Sequence, residues 1–393
     1  MDYFTCKATI SFALSKMHLR KICEAMKKQV LISGASFAGL TLAFWLNKFG
    51  YAVTIVELGK ELRTEGSPID VRGDALNVAM EMGIYEQIKA AEFLHTDEIV
   101  GANDETLAKF AINNLPEYLG DIEIHRGDLV KIIYEAIPKD EVNIVFGNSI
   151  SSMIQHEDHV EVSFEKGESK IYDLVFGADG THSTTRRLIF GPESEFKKFL
   201  GVYFAFAAAD HIQTGRSKST GIVYRELGKQ AVIFQFKDAV NAILVFRAAQ
   251  LDWHYRDREY PKQILNKYFR GNTNWKIPEI LDAMIDADDL YFDEACQIQM
   301  PTWTKGRVAL IGDAAYAPSF FTGMGTSLAM QGAALLAKEL QANDDPQIAF
   351  KNYNELFRPF VESVHARVDQ SLRIQLPETE QELQASIQAW TTQ

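Results

Sequence analysis

The stretch "GASFAG", residues 34–39, places two glycines and a serine where a chain could hold a phosphate. Gly34 permits a tight turn, and Gly39 lets a helix lie close on a strand. Ser36 stands where a dinucleotide fingerprint has its middle glycine. A serine Cβ is small enough to leave room for a pyrophosphate, and its hydroxyl can donate to one. Glu57 follows 18 residues after Gly39, where an acid accepts hydrogen bonds from ribose hydroxyls. A tight turn that binds nothing would carry the same glycines. The acid and the flanking apolar runs favour a dinucleotide, without separating NAD from FAD.

Two further stretches pair an acid with glycine. "GADGTHSTTR", 177–186, sets Asp179 on a turn, with Ser183 and Arg186 behind it; an acid there is ordinarily a turn former. "GDAAYAPSFFTGMGTS", 312–327, holds Asp313 and then Gly323 and Gly325, just ahead of the apolar run "LAMQGAALLAKEL". So many permissive residues before a helix suggest that something approaches the backbone there.

The elements that must position these residues are legible in the apolar pattern. "QVLISG" reads as a buried strand, "FAGLTLAFWLNKFG" as a helix stopped by Gly50, and "AVTIVEL" as a second strand. That is a βαβ unit, which implies a parallel sheet. "GDLVKIIYEAI" reads as an amphipathic helix, and residues 160–180 as strands with a hairpin turn at Glu165–Gly167. Residues 200–250 alternate aromatic and aliphatic positions between turn residues, as an antiparallel sheet would. "GRVALIGD" returns to a buried strand leading into the Asp313 loop. Residues 349–376 carry a helical stripe interrupted at Pro359, and Pro377 opens a separate final helix.

In order and spacing, the three glycine stretches resemble the FAD-dependent aromatic hydroxylases, over roughly residues 28–345. With "MGIYEQI", "RGDLV" and "TWTKGR", the chain looks most like the tetracycline destructases of that family. The resemblance implies a Rossmann-like α/β FAD domain with an inserted β-rich substrate domain and a C-terminal helical segment. It also implies cofactor contacts from Gly34, Ser36, Gly39, Glu57, Asp179, Asp313, Gly323 and Gly325, with Arg63, Asp70 and Arg126 matching further positions. Asp313 would reach the ribityl chain. Gly323 and Gly325 would let a helix N-terminus meet the pyrimidine edge of the ring. The implied chemistry is FAD reduction by NADPH or NADH, capture of O₂ as a flavin C4a-hydroperoxide, and oxygen transfer to a tetracycline-like polycycle. The flavin carries that chemistry, and no side chain need act as acid or base. Phe206, Arg225 and Gln235 on the antiparallel strands, with Phe320 on the flavin side, are the expected substrate contacts. The chain departs from the family at Tyr316, Ser319, Thr326 and Met330–Gln331.

The expected boundaries are an extension over 1–26, FAD-binding segments at 27–75, 102–190 and 290–345, substrate segments at 76–101 and 191–289, and helices from 346 to 393. Net charge is −13, which argues against nucleic acid as a partner. Cys6, Cys23 and Cys296 have no disulfide or metal-ligand spacing, and no apolar run nears the ~18 residues of a membrane span. A cytoplasmic monomer without a metal is therefore expected. No second dinucleotide fingerprint occurs, so NAD(P)H would dock transiently, and His182 reads as a polar loop residue. A monooxygenase of another polycyclic phenol, an FAD-dependent reductase that transfers no oxygen, and a protein that only sequesters the drug are the rival readings.

Overall fold

The computed structural model describes residues 27–391, apart from 65, 112–119, 218, 237–238, 254–256, 258 and 289. The extension over 1–26, with Cys6 and Cys23, lies outside the described residues. Among those described, the order in the main sheet is Thr304–Lys305, Val308–Leu310, Leu174–Gly177, Gln29–Ser33, Ala52–Glu57 and Val142–Phe146. All neighbours run parallel except the short Thr304–Lys305 hairpin strand. Val30, Leu31 and Ile32 are wholly buried because layers cover both faces, which is why this strand is a continuous apolar run. The helix Phe37–Lys48 is buried almost all round, packed on the sheet and against the helix Gly325–Ala342. Its sequence accordingly lacks a polar face.

The inserted sheet runs in the order Tyr291–Ile298, Lys197–Ala208, Ala239–Arg247, Lys229–Phe236, Thr220–Glu226, Thr96–Val100 and Thr106–Phe110. Pairing is antiparallel except between Thr220–Glu226 and Thr96–Val100. Two strands, Thr106–Phe110 and Tyr291–Ile298, therefore sit in this sheet, although the boundaries expected from sequence put both with the FAD-binding segments.

Alternation splits the sheet into two unlike faces. Tyr203, Ala205, Ile222, Tyr224, Ile233, Leu244 and Phe246 form a core with residues of the helices Tyr260–Phe269 and Ile277–Asp286. On the other face, Val202, Phe204, Ile243 and Val245 pack with Phe321 and with Val368, Leu372 and Leu376 near the C-terminus. The C-terminal stripe forms the helices Pro346–His365, Val368–Gln375 and Glu380–Thr391. Pro359 sits inside the first of them, so the expected interruption falls instead at Ala366–Arg367. Pro359 lies on the exposed side of that helix.

Candidate functional site

Gly34 has φ +107°, and a Cβ there would strike the Ala178 carbonyl oxygen; one on Gly39 would strike the Gly34 oxygen. Both positions need glycine because two backbones and a helix meet there. Glu57 belongs to the same unit: its Oε2 accepts from the Ala35 N–H at 2.7 Å and its Oε1 from the Gly59 N–H at 2.7 Å. Each oxygen keeps a lone pair for a ribose hydroxyl. Ser36 precedes the helix Phe37–Lys48 without capping it through its side chain. Its Oγ accepts instead from Arg126 Nη2 at 3.2 Å.

Arg126 gathers the neighbouring loop. Its guanidinium lies 5.2 Å from the Phe37 ring centroid, and Nη1 donates to the Arg63 carbonyl at 3.4 Å. Arg63 stands over the Tyr291 ring at 5.2 Å. Asp70 turns elsewhere, accepting from Arg72 Nη2 at 2.7 Å. Burial still holds the Asp70 carboxyl above the usual carboxylate range, against the pull of Arg72. Sequence reasoning missed Arg72, whose guanidinium carbon lies 3.3 Å from where a Gly323 Cβ would be. No motif marks that arginine; only the fold brings it to the glycine loop.

Asp179 is engaged inside its own turn. Ser183 Oγ donates to one oxygen, while the Thr185 N–H and hydroxyl donate to the other at 2.9 Å each. Ser183 in turn caps the helix Thr184–Ile189. This acid shapes the turn against the first strand, which agrees with the ordinary reading of such a residue. The resemblance implied a cofactor contact from this acid; within the chain its carboxylate accepts from donors of its own turn.

Asp313 differs. It lies deep inside the molecule, where burial raises its carboxyl pKa, yet its surface is exposed. Only the wall of a deep cleft combines the two properties. A Cβ on Gly325 would stand 3.9 Å from Asp313 Oδ1, so the acid faces the N-terminus of the helix Gly325–Ala342. Gly323, at φ +62°, makes the turn into that helix. Ser319 in the same loop is 8% exposed, and its hydroxyl has no hydrogen-bond partner among the described residues. The cradle therefore offers what FAD requires: an anion site at one helix N-terminus, an acid for the ribose, an acid on the cleft wall, and a second helix N-terminus.

The inserted sheet faces this cleft with one row of residues. Phe204, Val245, Gln230 and Arg225 are directly paired across four strands, so they share a face. Phe206 pairs with Ile243 and Tyr291 on that face. Phe204 lies 5.8 Å from Tyr291 and 4.7 Å from Phe320, which is 46% exposed. The expected Phe206 and Arg225 thus share this face, and Phe320 packs on it at Phe204; Phe204 and Tyr291 were missed, though alternation with Phe206 could have flagged Phe204. Gln235 does not converge. It pairs with Thr220, in register with Ile222 and Tyr224 of the helix-covered face, and its side chain accepts from Thr214 Oγ1 at 2.6 Å. Its parity relative to Arg225 turns it away from the cleft. Arg225 keeps Nε and Nη1 without a partner, and enclosure pushes its pKa down to about 10.

The described residues hold no group of His, Cys, Asp and Glu able to bind a metal, and no helix long and apolar enough to cross a membrane. Cys296 is free and buried.

The model of the FAD binding domain family matches residues 27–367. The chain is an FAD-dependent monooxygenase of this family. A flavin-dependent monooxygenase from an unknown prokaryotic organism is 38% identical, covering 86% of this chain and 88% of that one. Another, from Legionella longbeachae, is 36% identical over 85% and 86%. Among solved structures, tetracycline destructase Tet(55) has a TM-score of 0.79 at 37% identity, covering 88% of this chain and 89% of its own. Tetracycline destructase Tet(51) has a TM-score of 0.82 at 33% identity, with 93% and 96% covered. The dinucleotide of this monooxygenase family is FAD.

Proposed function

We propose that this monooxygenase consumes NAD(P)H and O₂ to hydroxylate, and so inactivate, a tetracycline-type antibiotic. The observation that carries the reading is the row on the inserted sheet. An aromatic wall of Phe204, Phe206, Tyr291 and Phe320 shares a sheet face with Arg225, which lies three strands along from Phe204 and whose guanidinium keeps unpartnered donors. Flat ring systems suit the wall, and an ionised enolate suits Arg225. Both belong to a tetracycline near neutral pH. The likeness to the two tetracycline destructases supports the same substrate class.

FAD, when bound, supplies the redox chemistry and the oxygen activation. The chain supplies the rest. Glu57, Ser36 and Arg126 hold the nucleotide end, and Asp313 holds the middle of the cofactor. The N-terminus of the helix Gly325–Ala342 offsets negative charge at the ring edge with N–H dipoles, without releasing a proton. The aromatic wall orients the substrate and keeps water out.

The test is oxygen incorporation by the purified yellow protein. NADPH and NADH are each supplied with a panel of tetracyclines and simple phenols, in isotope-labelled O₂. Tetracycline-dependent oxidation with one labelled oxygen in the product is expected. Stimulation by phenols alone would overturn the substrate; turnover without labelled product would indicate a reductase.

A further inference from the structure

His95 lies apart from the motifs and is almost enclosed, its side chain 4% exposed. It stacks on Phe93 with ring centroids 4.9 Å apart and planes 8° from parallel. Nε2 meets Asp97 Oδ1 at 3.1 Å, and Nδ1 meets Glu123 Oε2 at 3.0 Å, an ion pair without the alignment of a hydrogen bond. The two acids come from different layers. Asp97 is on Thr96–Val100 of the inserted sheet, and Glu123 is on Ile122–His125, paired with Pro68–Val71. Asp70 also contributes charge from Pro68–Val71, next to Arg72, itself paired with Asp70 and 3.6 Å from Asp121.

Asp97 pairs in register with Gly221, which shares a face with Val223 and Arg225. A Cβ on Gly221 would run into the Asp97 carboxylate, so that face is kept open for it. Asp97 is also the charge that acts on Arg225, although the two make no ion pair among the described residues. Opposite charges enclosed on one sheet face attract strongly, and Arg225 has two unsatisfied donors. Register sets Asp97 opposite Gly221, four residues along from Arg225, and its carboxylate is engaged by His95 at 3.1 Å. Burial alone would lower the His95 pKa, but its two carboxylates outweigh burial and hold it at about 10, so the imidazole is cationic at neutral pH.

We propose that His95 is a positioning residue that holds Asp97 away from Arg225 and so keeps that guanidinium free for an anionic substrate. This rests on the reading of Arg225 as substrate-facing. Without the imidazolium, Asp97 finds its next donor in Arg225, and the two neutralise each other inside the cleft. Removing Asp97 as well sets Arg225 free again.

The experiment uses FAD-loaded protein and chlortetracycline, with Kd read from the antibiotic's fluorescence and KM and kcat measured alongside. His95→Phe is expected to raise Kd and KM roughly tenfold with kcat changed less than about twofold; a tenfold change corresponds to about 1.4 kcal/mol. His95→Phe/Asp97→Asn is expected to return both constants to within about threefold of the parent, a rescue that a merely structural role does not give. His95→Gln, which keeps a donor but loses the charge, falls between. Unchanged Kd in His95→Phe and His95→Gln overturns the proposal, as does a double variant with full FAD content that binds as weakly as the single one. Unchanged Kd in Arg225→Ala overturns the underlying reading instead.

Discussion

Arg126 Nη2 donates to the Ser36 hydroxyl across 3.2 Å, joining residues 90 apart in sequence. The contact locks the residue in place of the fingerprint's middle glycine to the loop that begins at Arg63, because the same guanidinium also donates to the Arg63 carbonyl. Arg126→Ala should weaken FAD by about 1.5–3 kcal/mol, the worth of a hydrogen bond to a charged group. Reconstitution of the apoprotein, followed by flavin fluorescence, measures it. An unchanged affinity would detach Arg126 from the cofactor.

Glu57 accepts from the Ala35 and Gly59 amides and, in the proposed cradle, would accept from a ribose as well. Glu57→Gln keeps the side chain's size but loses charge and one acceptor, so FAD affinity falls less than in Glu57→Ala. For Glu57→Ala the expected loss is again about 1.5–3 kcal/mol. Asp313→Ala should also lose FAD. Full flavin retention in both alanine variants would remove the cradle assigned here.

Arg225 and Gln235 make a paired test of sheet parity. Arg225→Ala is expected to raise the KM for an anionic tetracycline about tenfold or more, as losing a charged hydrogen bond implies. Gln235→Ala should leave KM unchanged and lower Tm, because its partner Thr214 is 6% exposed on the opposite side. The reverse pattern would show that the other face is the pocket.

His182 lies beside Glu193 at 3.1 Å and Asp293 at 3.5 Å. Burial lowers its pKa, but bonding to both acids prevails and lifts it from 6.5 to about 9. Its folded pKa exceeds the unfolded one, so its stabilisation is complete below pH 6.5 and lost as pH rises through about 9. Glu193 has the opposite sign: burial is outweighed by His182 and Lys197, and the pKa falls to about 2. Its contribution is present above pH 4.5 and lost toward pH 2. Melting curves should therefore decline from pH 6.5 to 9 in the parent and less steeply in His182→Gln, where His95, raised to about 10, still contributes to the slope. An equal slope in both would refute the pairing.

Truncation after Leu376 removes Pro377, whose carbonyl accepts from the Gly228 N–H at 2.7 Å, and Glu378, paired with Arg247 at 3.2 Å. It also removes the helix Glu380–Thr391, which packs on the edge strand Thr106–Phe110. The product should remain folded and yellow, because every flavin residue lies upstream, with impaired tetracycline binding and faster proteolysis near that edge. Truncation after Arg367 goes further, stripping Leu372 and Leu376 from beneath Phe321 and Gln375 from its carbonyl. That product should bind substrate more weakly still. Loss of FAD in the shorter truncation would show the last helix to be structural.

Sequence alone determined the parallel unit around Gly34, Gly39 and Glu57, because that information is local. A buried strand must be continuously apolar, a βα turn must admit two backbones, and an acid must follow at the next strand's end. It likewise announced the Asp313–Gly325 loop and the antiparallel strands. Tertiary structure decided what depends on parity and on approach between distant segments. Alternation shows that a strand has two faces but not which one meets the cleft, so Phe206 and Gln235 looked equivalent until pairing separated them. Asp179 looked like Asp313 until its hydrogen bonds were seen to close on Ser183 and Thr185. Arg72 and His95 belong to no motif. Asp97 is only two residues from His95, but Gly323 and Glu123 come from other strands and loops, and only folding brings them within a few ångströms of Arg72 and His95, where burial makes each partner matter.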